Sequence, residues 1–564
     1  MRRQAAQRLG VAAGLALLAA VIFAVLLVSA HAQASDGNEP IPTLLSFAGI
    51  ARAFREFWAI VGPGGKLHPA YFLEHKGHLV IEAALIVVIV YLALQHSFKV
   101  HPRAEDPLTD KEIDQLCKEW TPEPLVPAVP EAEQFEPAVI TGVDGPYVSV
   151  QGRKERVLQM AASNYLGMAA DRGAKDASVA AVDKYGVGSC GPRGFYGTID
   201  VHLELEEELA RFYGTEAAIL YSYDVATIAS IIPAVTNRKD IIVCDEFCSY
   251  AVQAGYTVSR SRLRTFKHND VADLERVIQQ LEAEEKAKRR PLCRKLIIVE
   301  GIYANYGDLA PLDRIATIKE KYKYRLMVDE SHAFGVLGAT GRGACEHFGL
   351  KPEQVDIIAA SMSHAMGSVG GFCVGDRTIV DHQRLSGSGY CFSASLPPYL
   401  AVAGINFLRH LRGGAAAAAA GAGASGGGSG QQQQQGSGSG GAGEVLPKLH
   451  TKIRAFRTDL MRGVPGLKLY GGGVLSPVLH LHVAKPTSEA ADAAALRRVA
   501  DLMLTSGCGG GVGGVLVGVS QYAAIEQRRP PPSLVMFVTL GLGDKELALA
   551  AASLRKAAKE VFKQ

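Results

Sequence analysis

Two apolar runs precede any globular pattern in this chain. The first, Gly10 to Ala30, follows Arg2, Arg3 and Arg8 and ends in Ala30-His31-Ala32-Gln33-Ala34. Basic residues, an apolar stretch and small closing residues fit a secretory signal, whereas the length of the run fits an uncleaved span. Residues 1–34 are therefore a signal peptide or a membrane anchor. The second run, Leu79 to Leu94, has Glu82 as its only charge, and Lys99, His101 and Arg103 follow it. Residues 79–95 read as a transmembrane helix with a cytosolic basic flank. Whichever fate the first run has, the body after residue 99 faces the cytosol.

Beyond the membrane-grade sequence the pattern changes. Asp106 to Pro130 is polar and proline-rich, and Trp120-Thr121-Pro122-Glu123-Pro124-Leu125-Val126-Pro127 excludes a regular helix past 120. It predicts an extended arm lying on another surface. Val139 to Leu158 alternates as a hairpin turning at Gly145-Pro146, which completes an arm-and-hairpin region over 104–163. From Asn164-Tyr165-Leu166-Gly167 onward, strand and helix patterns alternate as in an α/β domain with a mostly parallel sheet, here spanning 164–412. The spacing predicts strands at Ala217–Tyr221, Ile241–Cys244, Arg262–Phe266, Leu296–Glu300, Arg325–Val328 and Ile357–Ala360. Helices are expected between them, including His202–Phe212 and Val271–Lys286. Ligands in such sheets gather at the carboxyl ends of strands, where Asp245, Glu300, Asp329 and Ser361 fall.

Residues 413–443 contain only Gly, Ala, Ser and Gln. No core can be built from them, so they read as a disordered insertion. Residues 444–564 form a smaller α+β domain with a glycine-rich loop, Gly507–Gly514, and a closing helix, Lys545–Phe562.

Composition narrows the classes. The formal net charge of +3 gives no field for nucleic acid, and no aromatic-studded basic stripe is present. Nine cysteines are scattered without a Cys-x-x-Cys pair; Cys244 and Cys248 lie four apart with no histidine nearby. This argues against a metal site and for free thiols in a reducing compartment. The string Gly186-Val187-Gly188-Ser189-Cys190-Gly191 matches the dinucleotide fingerprint by letters only. A helical pattern precedes it and Pro192 follows where a phosphate-binding helix should open.

Other strings carry more information. Ser361-Met362-Ser363-His364-Ala365-Met366-Gly367-Ser368-Val369-Gly370-Gly371 joins two apolar strands through small residues. Gly191-Pro192-Arg193-Gly194-Phe195-Tyr196-Gly197-Thr198 precedes a helix rich in Leu and Glu. In chain order follow His268-Asn269-Asp270, Glu300-Gly301-Ile302-Tyr303, Gly307-Asp308-Leu309-Ala310-Pro311-Leu312, Val328-Asp329-Glu330-Ser331-His332-Ala333-Phe334-Gly335 and Phe392-Ser393-Ala394-Ser395-Leu396-Pro397-Pro398. Together these strings resemble the α-oxoamine synthases, pyridoxal-phosphate enzymes of fold type I that join an amino acid to an acyl-CoA. The resemblance is strong over 160–405 and looser over 444–564.

The departures from that family carry the functional reading. Its lysine loop reads Thr-Lys-Ser-Phe-Gly-x-x-Gly-Gly, and counting back from Gly370-Gly371 puts His364 at the lysine. Imine formation removes two hydrogens from one nitrogen, and an imidazole nitrogen carries at most one, so it cannot form the imine. The resemblance places Asp329 at the pyridine-nitrogen carboxylate and retains His332, with Ser363 in the loop. Ser249 stands where the family has a ring-stacking histidine, Asp224 stands in the phosphate turn, and Val535 falls where the family has a substrate-carboxylate arginine. These positions, Asp329, His332, Ser249 and Ser363, are thus expected to form a vestigial cofactor site with no catalytic residue.

Within the family the chain resembles the lysine-less subunit of a heterodimer in the endoplasmic-reticulum membrane. The strings at 119–127, 266–270 and 382–387 carry that likeness. The resemblance implies a lysine-bearing partner that holds the pyridoxal phosphate and condenses L-serine with palmitoyl-CoA to 3-ketosphinganine, with room for small membrane regulatory subunits. Arg193, Tyr196, Phe392 and Ser393 are the expected donors across the interface. Rival readings are an autonomous synthase using Lys351 or Lys239, and a membrane scaffold without catalysis.

Overall fold

The computed structural model describes residues 85–89, 109–125, 137–413, 441–471, 475–507, 511–523 and 525–562. The chain divides into two units, Met1–Gln134 and Phe135–Gln564. In the first, the helix Asp110–Glu119 starts with a capping box, in which Thr109 and Glu112 each satisfy the other's backbone N–H. It ends at Trp120, before the prolines, as their missing N–H groups require. Most of both apolar runs lies outside the described residues, although 85–89 are helical. Among the described residues no helix is long and apolar enough to cross a membrane.

The second unit begins with the expected hairpin. Strand β1 (Ile140–Asp144) turns into β2 (Tyr147–Val150), with Gly145 at φ 58°, and β3 (Arg156–Gln159) continues the sheet. The main sheet is built from β4 (Ala217–Tyr221), β5 (Ile241–Asp245), β6 (Arg262–Phe266), β7 (Lys295–Glu300), β8 (Arg325–Asp329), β9 (Ile357–Ser361) and β10 (Gly371–Gly375). Their order is β4-β10-β9-β8-β7-β5-β6, parallel except for β10, which runs antiparallel to both neighbours. The strands lie within a residue of their predicted places. All five residues of β5, β9 and β10 are buried, as expected of strands covered by helices on both faces. The helices Asp200–Tyr213 and Val271–Ala287 sit where the pattern put them; Asp270 caps the second through the Asp273 N–H.

Five more strands follow: β11 (Leu467–Leu469), β12 (Val478–Val483), β13 (Val512–Leu516), β14 (Gly518–Val519) and β15 (Ser533–Phe537). Four of them form an antiparallel sheet, β11-β12-β15-β14. The fifth, β13, leaves that sheet and pairs in parallel with β3. The stretch expected as one glycine loop, Gly507–Gly514, thus becomes strand from Val512. The closing helix is Asp544–Val561. Residues 414–440 lie outside the described residues, and so does most of the insertion expected at 413–443. The two sides of that gap meet: a Cβ on Gly441 would stand 2.9 Å from the Gly413 Cα.

Candidate functional site

Parallel pairing brings four strand ends to one edge. Strands β5, β7, β8 and β9 finish on Asp245, Glu300, Asp329 and Ser361, and the register sets Glu300 directly beside Asp329. Both carboxyls are buried. Burial, and then the charge on Asp329, raises Glu300, against the amides of Ala304 and Ser249 that donate to it. Burial also raises Asp329, opposed by the Ser331 amide (2.9 Å) and hydroxyl (2.5 Å) on its Oδ1. No lysine or arginine acts on either carboxyl.

Asp245 is treated differently. His268 lies between it (Nδ1 to Oδ1, 2.8 Å) and Asp308 (Nε2 to both oxygens, 3.1 Å). Burial alone would lower the imidazole, but the two carboxylates outweigh it and raise His268 to about 10. Asn269 completes the knot, its amide donating to Asp245 Oδ2 and its side chain to Asp308.

The loop between β9 and β10 carries His364 and no lysine. His364 sits deep among protein atoms yet keeps part of its surface open. Its Nδ1 is 2.7 Å from Ser163 Oγ, and its carbonyl accepts from the Tyr165 amide at 3.1 Å. The ring stacks on His332 with centroids 4.1 Å apart, and the Tyr165 hydroxyl meets His332 Nδ1 at 2.7 Å. Burial lowers His364 to about 4; burial and then the adjacent His364 and His480 push His332 well below the usual histidine range. Two neutral rings thus fill the base of the loop. Ser363 joins Ser361 (Oγ to Oγ, 2.7 Å), whose amide donates to Ser331 Oγ, so a serine chain runs from the loop to Asp329.

The glycine pair in this loop makes room for the chain itself. A Cβ on Gly370, at φ 97°, would stand 2.5 Å from the Tyr221 carbonyl, and one on Gly371 would stand 2.3 Å from Thr227 Oγ1. These glycines let the chain pack on itself rather than on a planar ligand.

Asp224 and Ser249 complete the edge. The helix Asp224–Val235 opens with Asp224 in its first turn, so a fixed carboxylate already stands at the positive end of the helix. Burial raises Asp224, opposed by Ser363, Ser361 and the Gly370 amide, and its buried Oδ1 has no hydrogen-bond partner. Ser249 likewise has a buried Oγ without a partner, while its N–H donates to Glu300. Val535 lies in β15 opposite His480.

Of the four expected interface donors, one is turned inward in this chain. Arg193 is buried, with its NH1 2.9 Å from Glu206 Oε1 and its Nε 3.0 Å from Thr198 Oγ1. A guanidinium held this way is not free to reach another chain. Tyr196 and Phe392 are exposed, and Ser393, partly exposed, bonds only the carbonyl next to it. Ser163, Tyr165 and Glu206 were not singled out from the sequence. The Asn164-Tyr165 string, which marks the start of the domain, is the available signal for Tyr165.

These residues do not fit pyridoxal phosphate as a resident group of this chain. Asp329 suits a pyridine nitrogen, but a stacked imidazole stands in place of the amine. The helix end that should receive the phosphate presents the Asp224 carboxylate, whose buried Oδ1 has no partner. Among the described residues no group of His, Cys, Asp and Glu is arranged to hold a metal ion, and all eight cysteines are free.

Residues 155–415 match the family model described as aminotransferase class I and II. The fold aligns with a serine palmitoyltransferase from S. paucimobilis at TM-score 0.62 and 23% identity, covering 76% of this chain and 94% of that one. In sequence the chain is 40% identical over 486 residues to long chain base biosynthesis protein 1c of Oryza sativa subsp. japonica, covering 86% of this chain and 92% of that protein. It is 37% identical to serine palmitoyltransferase 1 of Dictyostelium discoideum, covering 85% and 93%. A fold-type-I body, a loop without lysine and near end-to-end similarity to these relatives agree: the chain belongs to the family of long chain base biosynthesis protein 1 and serine palmitoyltransferase 1.

Proposed function

We propose that this chain is the lysine-less subunit of a serine palmitoyltransferase. It pairs with a lysine-bearing catalytic subunit to condense L-serine with palmitoyl-CoA, giving 3-ketosphinganine, CoA and CO2, the entry step of sphingolipid synthesis. The observation that carries the reading is His364, locked against His332 and Ser163 where the imine-forming amine belongs. Pyridoxal phosphate in the complex belongs to the partner, and this chain contributes the exposed Tyr196 and Phe392 at the rim of the partner's site. Residues 79–95 anchor the chain in the endoplasmic-reticulum membrane with the body in the cytosol, where small membrane subunits can regulate the pair.

An autonomous synthase would need another amine. Lys239 leads into the amino end of β5 and Lys351 precedes the turn into β9. Both are exposed, and the acidic edge lies a strand length away, about 15 Å. The test is borohydride reduction of the purified chain and of the heterodimer, followed by peptide mapping. All pyridoxyl-lysine should come from the partner, with condensing activity only in the pair. A labelled lysine peptide from this chain, or turnover by the chain alone, would overturn the reading.

A further inference from the structure

The two exposed aromatic tips, Tyr196 and Phe392, are rooted on a single carboxylate. Glu206, on the helix Asp200–Tyr213, is itself buried. Its Oε1 accepts from Arg193 NH1 at 2.9 Å and from the Leu220 amide of β4 at 3.1 Å. Its Oε2 accepts from Arg384 NH2 at 3.4 Å. Arg193 belongs to the loop that carries Tyr196, and Thr198 closes that loop by accepting from Arg193 Nε and donating to the Arg193 carbonyl at 2.7 Å. Arg384 reaches the other tip, with NH1 on the Tyr390 hydroxyl at 3.1 Å, two residues before Phe392.

The two segments are also laced together directly. The Ser395 amide and hydroxyl both donate to the Gly191 carbonyl at 2.9 Å, and Ser189 Oγ donates to the Ser395 carbonyl at 3.1 Å. The loop folds tightly on itself and on the other segment: a Cβ on Gly197 would meet both the Gly191 oxygen of its own loop and Ser395 Oγ. Beyond the lacing, Tyr196 has φ 62° and, like Phe392, projects almost wholly into solvent. Rigid roots under exposed aromatics are what a surface needs when it must present a fixed shape to something outside the chain.

We infer that Glu206 is a positioning residue: through Arg193 and Arg384 it fixes Tyr196 and Phe392 relative to one another, and so sets the wall this chain presents to the amino-acid substrate in the partner's site. The inference rests on the proposed subunit role. A charged clamp suits this task because a bidentate-capable guanidinium on a carboxylate fixes direction as well as distance, which an apolar contact does not.

The test is a double-mutant cycle in the purified heterodimer, reading kcat and KM for L-serine beside thermal unfolding. Glu206→Gln should leave the pair assembled and lower kcat/KM for L-serine by about fivefold or more through lost orientation. Added to the double variant Tyr196→Ala/Phe392→Ala, it should lower kcat/KM by less than about twofold further, because the tips it positions are already gone. An additive loss, or Glu206→Gln within about twofold of wild type, overturns the inference. Should Glu206→Gln fail to assemble, Glu206→Gln with Arg193→Met, which removes both buried charges, enters the same cycle. Failure of that variant as well assigns the pair to folding and overturns the positioning role. If the tip variant matches wild type, the tips are not that wall and the inference falls alone; if the wild-type pair has no condensing activity, the subunit reading itself falls and takes this inference with it.

Discussion

Replacing His364 by alanine and by lysine separates packing from chemistry. In His364→Ala the chain loses the 2.7 Å contact to Ser163 and the stack on His332 at 4.1 Å. A hydrogen bond of that kind is worth about 1 kcal/mol net. The cavity term is reduced because the ring is partly open to the cleft and water can enter, so the total cost is roughly 1–3 kcal/mol. For a unit of this size that is a Tm fall of roughly 1–3 °C. Turnover of the complex should stay within about twofold, since no reacting atom is lost. His364→Lys tests more. The new amine would stand beside Ser163 and His332, in the loop whose serine chain leads to Asp329. An anionic group drawn to the helix start would meet Asp224; at ~4 Å and an effective dielectric of about 20 the repulsion is about 4 kcal/mol, a thousandfold in affinity. The assay is spectral titration with pyridoxal phosphate and steady-state turnover of the purified pair. A visible aldehyde-adduct band on His364→Lys with doubled turnover would refute the reasoning, because lysine alone would then have been missing.

Thermal stability of the chain should fall as pH rises from about 6.5 to about 10. His268 is raised in the folded state from 6.5 to about 10, so its contribution is full below the unfolded value and disappears as pH passes the folded one. Glu300 and Asp329, also raised, act in the same direction from the ordinary carboxylate range upward. His268→Gln should flatten the slope above neutrality, and parallel curves for variant and wild type would count against the clamp. Deleting 414–440 and joining Gly413 to Gly441 should leave Tm and heterodimer activity nearly unchanged, because the two ends already touch and loop length costs little; a large loss of assembly by gel filtration would show that the segment binds something. In sealed microsomes added protease should digest the body, and deleting 79–94 should release the chain from the membrane; a protected body would reverse the topology argued from Lys99, His101 and Arg103.

The main sheet was readable because its signals are local: short apolar runs ending in polar residues, with capped helices between them. The same locality exposed the acidic edge, since Asp245, Glu300, Asp329 and Ser361 each close their own strand. His364 was found by counting from Gly370-Gly371. What stayed hidden depends on contacts between distant segments. Nothing in Gly191–Thr198 itself indicates that Arg193 turns inward, because its partner Glu206 lies outside that string, on the helix that follows it. The role of Gly370 and Gly371 depends on Tyr221 and Thr227, more than 140 residues earlier. The β3–β13 pairing joins residue 156 to residue 512, and no periodicity records such a partner.

The electrostatics of the acidic edge explain why the changes there belong together. A buried carboxylate is tolerable when a cation or several N–H donors meet it, and otherwise it takes up a proton. Asp245 has its cation in His268, whereas Glu300 and Asp329 have only amides and a serine hydroxyl, and both are raised. A lysine and a cationic pyridine would each have supplied positive charge on this edge. Without them, a stacking histidine near Ser249 would add a ring with no partner plane, and an open helix end would draw in stray anions. Asp224 closes that end, and the neutral pair His332–His364 fills the base. Each change lowers the need for a ligand in the cleft.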